Sequence, residues 1–258
     1  NEKHTLIPIM EPDLSGNEGV YLQKCINTGW ISSQGEYVRL FEKNFSVLHK
    51  PYKSISTSSG TTALHLALTT LGIKEGDEVI VPNLTFAATA NAVLLTGATL
   101  VLADINRETL CLNINSIKKS ITNKTKAIIP VHLYGNACEM DEITKIANNN
   151  NIFIVEDCAE ALGTKQRGIP VGTFGDCSIF SFFGNKTITT GEGGMVLFKS
   201  SKHYKKALIL RDHGMSPKKK YWHEFLGFNY RLTNLQAAVG VAQLENLNEK
   251  INAKIKIE

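Results

Sequence analysis

Residues 178–194 read SIFSFFGNKTITTGEGG, and this stretch decides the fold prediction. It begins as an apolar strand, predicted over Cys177–Ser181, and ends in a glycine-containing turn that presents Lys186. The glycines that follow favour a tight turn and a close approach of the backbone. A lysine just beyond an aromatic stretch is a candidate for desolvation, which makes its amine available for Schiff-base chemistry. A solvated loop lysine is the commoner alternative, so the rest of the chain has to decide between the two.

Short apolar runs alternate with amphipathic segments from about residue 55 to residue 210. The predicted strands are Glu78–Val81, Thr99–Ala103, Lys126–Val131, Ile152–Val155, Cys177–Ser181 and Met195–Phe198. The helices predicted between them are Thr61–Leu71, Phe86–Leu95, Ser116–Ile121 and Asp141–Asn148. Near-continuous apolar strands interleaved with helices predict an α/β domain, with a mostly parallel sheet and helices on both faces.

Three further features occur at positions where an α/β fold of this kind binds ligands. Asp157 follows a predicted strand, and ligands of open α/β sheets bind at the carboxyl ends of strands, although a helix cap or a surface ion pair is the alternative. Residues 56–62, STSSGTT, open a helix whose free N–H groups and hydroxyls suit a phosphate. Phe86 begins the next helix and is placed either to stack on a flat ring or to pack in the core. A phosphate cradle, an aromatic ring, a carboxylate and a lysine match what pyridoxal 5'-phosphate (PLP) requires.

Composition describes an ordinary globular protein. The 258 residues suffice for one large domain with a substantial core, and 43% of them are hydrophobic and 20% charged. The net charge of +4 comes without a basic stripe, so we expect no nucleic-acid partner. The cluster at residues 218–220 is interpreted as a solvated loop, with contact to a substrate diphosphate as the alternative.

Cysteine usage and hydropathy indicate the compartment. The five cysteines form no C-x-x-C pair and have no histidines at ligand spacing, which argues against disulfides and structural zinc and for a reducing cytosol. No apolar run approaches the ~20 residues of a membrane span, and the first residues carry no signal-peptide core. We therefore expect a cytoplasmic protein without a membrane partner.

Five stretches carry a family likeness, namely SSGTTALHLAL, VPNLTFAATANAV, VEDCAEALGT, FSFFGNKTITTGEGGMV and NYRLTNLQAAVGVAQLE. On them the chain resembles, over essentially its whole length, the DegT-type sugar aminotransferases, a branch of the fold type I PLP enzymes. The resemblance implies a large PLP-binding domain over residues 1–258. A helix predicted from near Thr233 runs to Glu258 without a stop signal, so we expect the small C-terminal domain of the family to be absent from this chain.

The resemblance also implies residue roles. Lys186 would form the Schiff base and later shuttle a proton, and Asp157 would pair with the pyridinium nitrogen. The implied cofactor-binding set is Ser59, Gly60, Thr61, Phe86, Asp157, Glu160, Ser181, Lys186 and Asn229. Glu160 stands where many relatives have a glutamine near the cofactor's 3-hydroxyl group. Arg231 is assigned to the substrate, and its segment with Asn229 would reach across a homodimer interface, so that two chains share each site.

The implied reaction moves the amino group of L-glutamate to the 4-keto group of a nucleotide-linked 4-keto-6-deoxyhexose, with the cofactor alternating between PLP and pyridoxamine phosphate (PMP). A dTDP- or UDP-linked 4-keto-6-deoxyglucose is the alternative acceptor. A sugar dehydratase would have a histidine in place of the lysine, so Lys186 argues against that activity. A non-catalytic regulatory relative is the remaining alternative, against which the intact set of Lys186, Asp157 and phosphate-binding hydroxyls argues.

Overall fold

A seven-stranded sheet forms the centre of the molecule, which a computed structural model describes for residues 10–257. The first nine residues, where no signal-peptide core is predicted, and Glu258, the predicted end of the last helix, lie outside the described residues. The strands are β1 Lys53–Thr57, β2 Glu78–Pro82, β3 Thr99–Ala103, β4 Thr125–Ile128, β5 Phe153–Asp157, β6 Lys165–Gln166, β7 Ile169–Pro170, β8 Cys177–Ser181 and β9 Gly194–Phe198.

The sheet is mostly parallel. Its strand order is β1-β9-β8-β5-β4-β2-β3, and the five strands from β8 to β3 pair in parallel. Strand β9 runs antiparallel to both of its neighbours, β8 and β1. Strands β6 and β7 form a separate antiparallel pair. The predicted mostly parallel α/β architecture is confirmed.

Helices cover both faces of this sheet. They are α1 Glu18–Thr28, α2 Glu36–Leu48, α3 Gly60–Leu71, α4 Ala87–Leu95, α5 Ile114–Ser120, α6 Met140–Asn150, α7 Ser201–Arg211, α8 Asn234–Glu245 and α9 Leu247–Ile255, with a 3-10 turn at Leu133–Gly135. Successive strand side chains point to opposite faces. In β2, Val79 and Val81 accordingly pack in one core cluster with α3, α4 and α7, and Ile80 packs in another with α5 and α6. A third cluster joins α1, α2 and α8 to β8 and β9.

Capping interactions in the sequence fix both ends of α3. Ser59 and Thr62 form a capping box, in which each side chain bonds the other's backbone N–H. The helix ends at Gly72, whose φ of 89° is left-handed and favours glycine. Between these ends Ala63, Leu64, Ala67 and Leu68 are buried. The capping box fixes the first turn of α3 directly after β1.

Most predicted elements match the observed ones to within two residues at each end, and two differ by more. The strand predicted to reach Val131 ends at Ile128, because Pro130 has no N–H to donate to the ladder. The long helix predicted from Thr233 is two helices, α8 and α9, separated at Asn246 with φ −103° and ψ 13°. An asparagine side chain competes for backbone hydrogen bonds and favours such a break. Strand β1 was not predicted, since its sequence KSIST offers a single large apolar residue.

The cysteines and the helix lengths complete the picture. All five cysteines are buried and unpaired. Within residues 10–257, no helix combines the length and the apolar character needed to cross a bilayer.

Candidate active site

A cavity of about 350 Å³ opens at the carboxyl ends of β5 and β8. It brings together most of the predicted site residues, namely Ser59, Gly60, Thr61, Phe86, Asp157, Glu160, Ser181 and Lys186. Asn229 and Arg231 are not among the residues that line it. The parallel strands therefore bring to one edge of the sheet site residues that are more than a hundred positions apart in the sequence.

Asp157 is the last residue of β5 and is buried, with 4% of its surface exposed. Its Oδ2 accepts a hydrogen bond from the Thr89 hydroxyl at 2.9 Å, and its Oδ1 accepts one from the Ala159 N–H at 3.1 Å. Burial raises the pKa of this carboxyl above its ordinary value, while the two hydrogen bonds and the charge of Lys186 act in the opposite direction. A buried carboxylate with so few donors is well matched to a cationic partner such as a protonated ring nitrogen.

Lys186 lies in the turn after β8, where its N–H donates to the Phe183 carbonyl at 3.0 Å. Its Nζ pairs with Glu160 Oε1 at 3.2 Å, and both side chains are largely buried. The second oxygen of Glu160 accepts the Tyr134 N–H at 3.1 Å. Tyr134 has a left-handed backbone with φ 52°, which is uncommon for a bulky residue and is a feature of functional sites. Glu160 thus connects the amine of Lys186 to the cavity wall.

The start of α3 forms the opposite end of the cavity. Helix geometry leaves the N–H groups of the first turn without helical partners, and the cap accounts for that of Thr62 alone. A Cβ at Gly60 would lie 2.9 Å from the Ser181 Cβ, so glycine lets the Ser181 hydroxyl approach the helix start. Backbone N–H groups, the helix dipole and a hydroxyl converge there, which suits an anion.

Two aromatic rings border the same cavity. Phe86 precedes α4 and is 75% exposed, so the alternative that it packs in the core is excluded. Phe183, to which no polar role is given, also lines the cavity. The sequence reasoning missed Thr89, although it lies one helical turn after Phe86 and therefore faces the same way.

Asn229 and Arg231 contact each other outside the cavity. Arg231 Nε donates to Asn229 Oδ1 at 3.1 Å, and Arg231 also pairs with Asp212 at 3.0 Å. Neither side chain therefore lines the cavity that contains Lys186 of the same chain.

These residues fit PLP. The cavity has an anion-binding end at α3, an exposed ring at Phe86, a buried carboxylate and a lysine. The Gly60–Ser181 approach, which a Cβ would fill, is where the phosphate would be held. When bound, PLP supplies an electron sink for the carbon that loses or gains a proton.

Solved structures share the fold, and one of them is described in a form with this kind of cofactor. An aminotransferase from Psychrobacter cryohalolentis matches with a TM-score of 0.89 at 33% identity, over 95% of this chain and 65% of that one. The Streptococcus pneumoniae protein Spr1654 in its PMP form matches with a TM-score of 0.90 at 31% identity, over 95% and 67%. Fold and site together define a PLP-dependent aminotransferase.

A family model narrows this class. The model of the DegT/DnrJ/EryC1/StrS aminotransferase family matches residues 12–258, and the chain belongs to that family. Among curated relatives, the GDP-perosamine synthase of Escherichia coli O157:H7 is 49% identical over 251 residues, which are 97% of this chain and 69% of that protein. The chain therefore spans about two thirds of the length of these relatives.

Proposed function

We propose that this protein transfers the amino group of L-glutamate to the 4-keto group of a GDP-linked 4-keto-6-deoxyhexose, as a GDP-perosamine synthase does. The observation that carries the proposal is the 49% identity to such a synthase over 97% of the chain. The site supports it, because Lys186 and Asp157 line one cavity. We place the protein in the cytoplasm, where free cysteines remain reduced.

Each predicted site residue of the cavity has a proposed role. Asp157 keeps a proton on the ring nitrogen of the cofactor, since its buried carboxylate favours a cation. Lys186 Nζ binds the cofactor and moves a proton at the reacting carbon. Glu160 orients the Lys186 amine through their 3.2 Å contact, at a position near the cofactor's 3-hydroxyl group. Phe86 covers the ring, and the start of α3 with Ser181 holds the phosphate.

The second chain of a homodimer completes this arrangement. A phosphate carries nearly two negative charges, and one helix start offers three or four free N–H groups. Asn229 lies outside the cavity of its own chain, which supports a role at the phosphate of the partner. Arg231 contacts Asn229, which supports a role for Arg231 at the substrate in the same interface.

An acceptor screen tests the proposal. The protein is incubated with L-glutamate and, in parallel, with GDP-, dTDP- and UDP-linked 4-keto-6-deoxy sugars, and the amino sugar and 2-oxoglutarate are quantified. We expect turnover that is fastest with the GDP-linked acceptor. Preference for a dTDP- or UDP-linked sugar would favour the alternative acceptor, a 4-keto-6-deoxyglucose, and PLP binding without turnover of any acceptor would favour a regulatory protein.

A further inference from the structure

Glu156 precedes Asp157 in β5, and because strand side chains alternate, its side chain lies on the opposite face of the sheet. Its carboxylate is fully buried, and each of the two oxygens accepts two hydrogen bonds. Oε2 accepts the Gly172 N–H at 2.7 Å and bonds His132 Nε2 at 3.2 Å. Oε1 accepts the N–H groups of Phe174 and Gly175, each at 2.8 Å.

His132 joins this carboxylate to the backbone of Asp157. Its ring is fully buried, and Nδ1 accepts the Cys138 N–H at 3.1 Å. A neutral ring with an acceptor at Nδ1 carries its proton on Nε2, which therefore donates to Glu156. The backbone N–H of His132 donates to the Asp157 carbonyl at 3.0 Å. One residue thus bonds Glu156 through its side chain and Asp157 through its main chain.

The strand ladder loses one donor next to this point. Asp157 donates its N–H to the Pro130 carbonyl at 2.9 Å and accepts the His132 N–H, but Pro130 has no N–H to donate to β5. Regular pairing of β4 with β5 ends at Ile128, and an isolated bridge between Val131 and Asp157 follows. The His132–Glu156 hydrogen bond links the segment after β4 to β5, next to the position where Pro130 donates no ladder hydrogen bond.

The same residues do not suit a metal ion. The ligand atoms of His132, Glu156 and Cys158 lie within 4.8 Å of one another. Each oxygen of Glu156 already accepts two hydrogen bonds, and burial raises the pKa of the Cys158 thiol well above its ordinary value, which opposes the thiolate that a metal requires.

We propose that Glu156 and His132 are a positioning pair, which holds the end of β5 so that the Asp157 carboxylate is aligned with the ring nitrogen of the cofactor. This inference rests on the proposed function, in which Asp157 pairs with that nitrogen. A misplacement of about 1 Å costs as much as ~10²-fold in rate, so the expected effect on kcat is roughly ten- to a hundredfold.

Two histidine variants separate the two hydrogen bonds of the ring. His132→Asn keeps an acceptor for the Cys138 N–H but is too short to reach Glu156, and His132→Gln reaches Glu156 with an amide N–H. Ser178→Ala is the matched control, because its buried hydroxyl donates to the Gly172 carbonyl at 2.8 Å and holds the same loop without bonding Glu156. The readouts are the melting temperature of the cofactor-free protein, the visible absorbance of bound PLP, and kcat.

We expect His132→Asn to shift the absorbance band in the direction that Asp157→Asn shifts it and to lower kcat, with His132→Gln restoring part of both. Ser178→Ala should lower the melting temperature and leave the band unchanged. If His132→Asn does not fold, Glu156→Gln takes its place with the same expectation. The proposal is overturned if the histidine or glutamate variant lowers only the melting temperature, as the control does. A wild-type band in Asp157→Asn would instead contradict the proposed function.

Discussion

At the scale of single residues, the proposed chemistry depends on two side chains that two adjacent parallel strands position. Asp157 ends β5, and its register partner on β8 is Ile179, two residues before the end of that strand. Lys186 follows β8 through a short turn and reaches back toward the same cavity. Parallel pairing therefore sets how far the carboxylate lies from the amine, and a loop supplies only the last few residues.

Lys186→Ala should abolish turnover while the fold persists. The variant loses both the covalent attachment of the cofactor and a proton-transfer group, and the latter alone typically contributes ~10²–10⁴-fold. Amino-sugar formation and visible absorbance after incubation with PLP measure the effect. Lys118→Ala, at an exposed lysine of α5, is the control and should behave as wild type. A near-normal rate for Lys186→Ala would show that Lys186 is not required for turnover.

Asp157→Asn should lower kcat far more than it weakens cofactor binding. A neutral amide does not hold a proton on the ring nitrogen, whereas the ring contact at Phe86 and the phosphate contacts at α3 are unchanged. The cofactor dissociation constant and kcat, measured on the same preparation, separate the two effects. An unchanged kcat would show that Asp157 acts only through its hydrogen bonds to Thr89 and Ala159.

The two central residues were predictable because each sits at a marked position, one after an apolar strand and one after a glycine turn. Their partners were less so. Thr89 has no local signal beyond its helical spacing from Phe86, and its bond to Asp157 depends on how α4 packs against β5. The pairing of His132 with Glu156 joins the segment after β4 to β5, and only the tertiary structure brings them together.

At the scale of elements, α3 and β8 form the anion end of the site by approaching each other at a glycine. Gly60→Ala should weaken PLP binding, because the added Cβ would meet the Ser181 Cβ at 2.9 Å and push the hydroxyl away from the helix start. Titration of the cofactor-free protein with PLP measures the loss. Gly19→Ala is the matched helical control, since a Cβ there meets nothing within 4 Å. Equal affinity in both variants would place the phosphate elsewhere.

An ion pair fastens the N-terminal segment to α9. Asp13 contacts Lys250 at 2.7 Å, and this hydrogen bond, together with those from Ser15, lowers the pKa of Asp13 from 3.8 to about 2. A depressed carboxyl pKa contributes stability that is present above 3.8 and is lost as the pH falls toward 2. The melting temperature of wild type should therefore exceed that of Asp13→Asn at neutral pH, and the difference should narrow over that acid range. A difference independent of pH would assign the effect to packing.

The elements that were predicted share strong periodicity, and those that were missed lack it. Strands Thr99–Ala103 and Cys177–Ser181 match the prediction to the residue, since both are apolar runs between turn signals. Strand β1 has polar residues at most positions and derives its stability from pairing with β9. The break at Asn246 depends on one residue and interrupts a pattern that otherwise continues.

At the scale of the whole molecule, the proposed site belongs to two chains, and subunit mixing tests this. Asn229→Ala and Lys186→Ala chains are prepared separately, dissociated and reassociated together. In a shared-site dimer, one of the two sites regains both groups, so activity should exceed that of either variant alone. Mixing Lys186→Ala with Asp157→Asn is the control, because both groups line the cavity of one chain and should not complement. If mixed dimers are shown to form and activity does not recover, Asn229 does not contribute to the site of the partner chain.

The edge position of β1 has a consequence for biosynthesis. Within residues 10–257, β1 pairs with no strand other than β9, and this pairing joins Thr57 to Gly194. Such non-local pairing forms late, and a nascent chain emerges from its N-terminus onward. The helix start at Gly60 is therefore translated early but stays without β8 and β9 until residue 198 has left the ribosomal exit tunnel. Ribosome-arrested chains in which residue 198 is still inside the tunnel should fail to retain PLP, and chains in which it has emerged should acquire PLP before release.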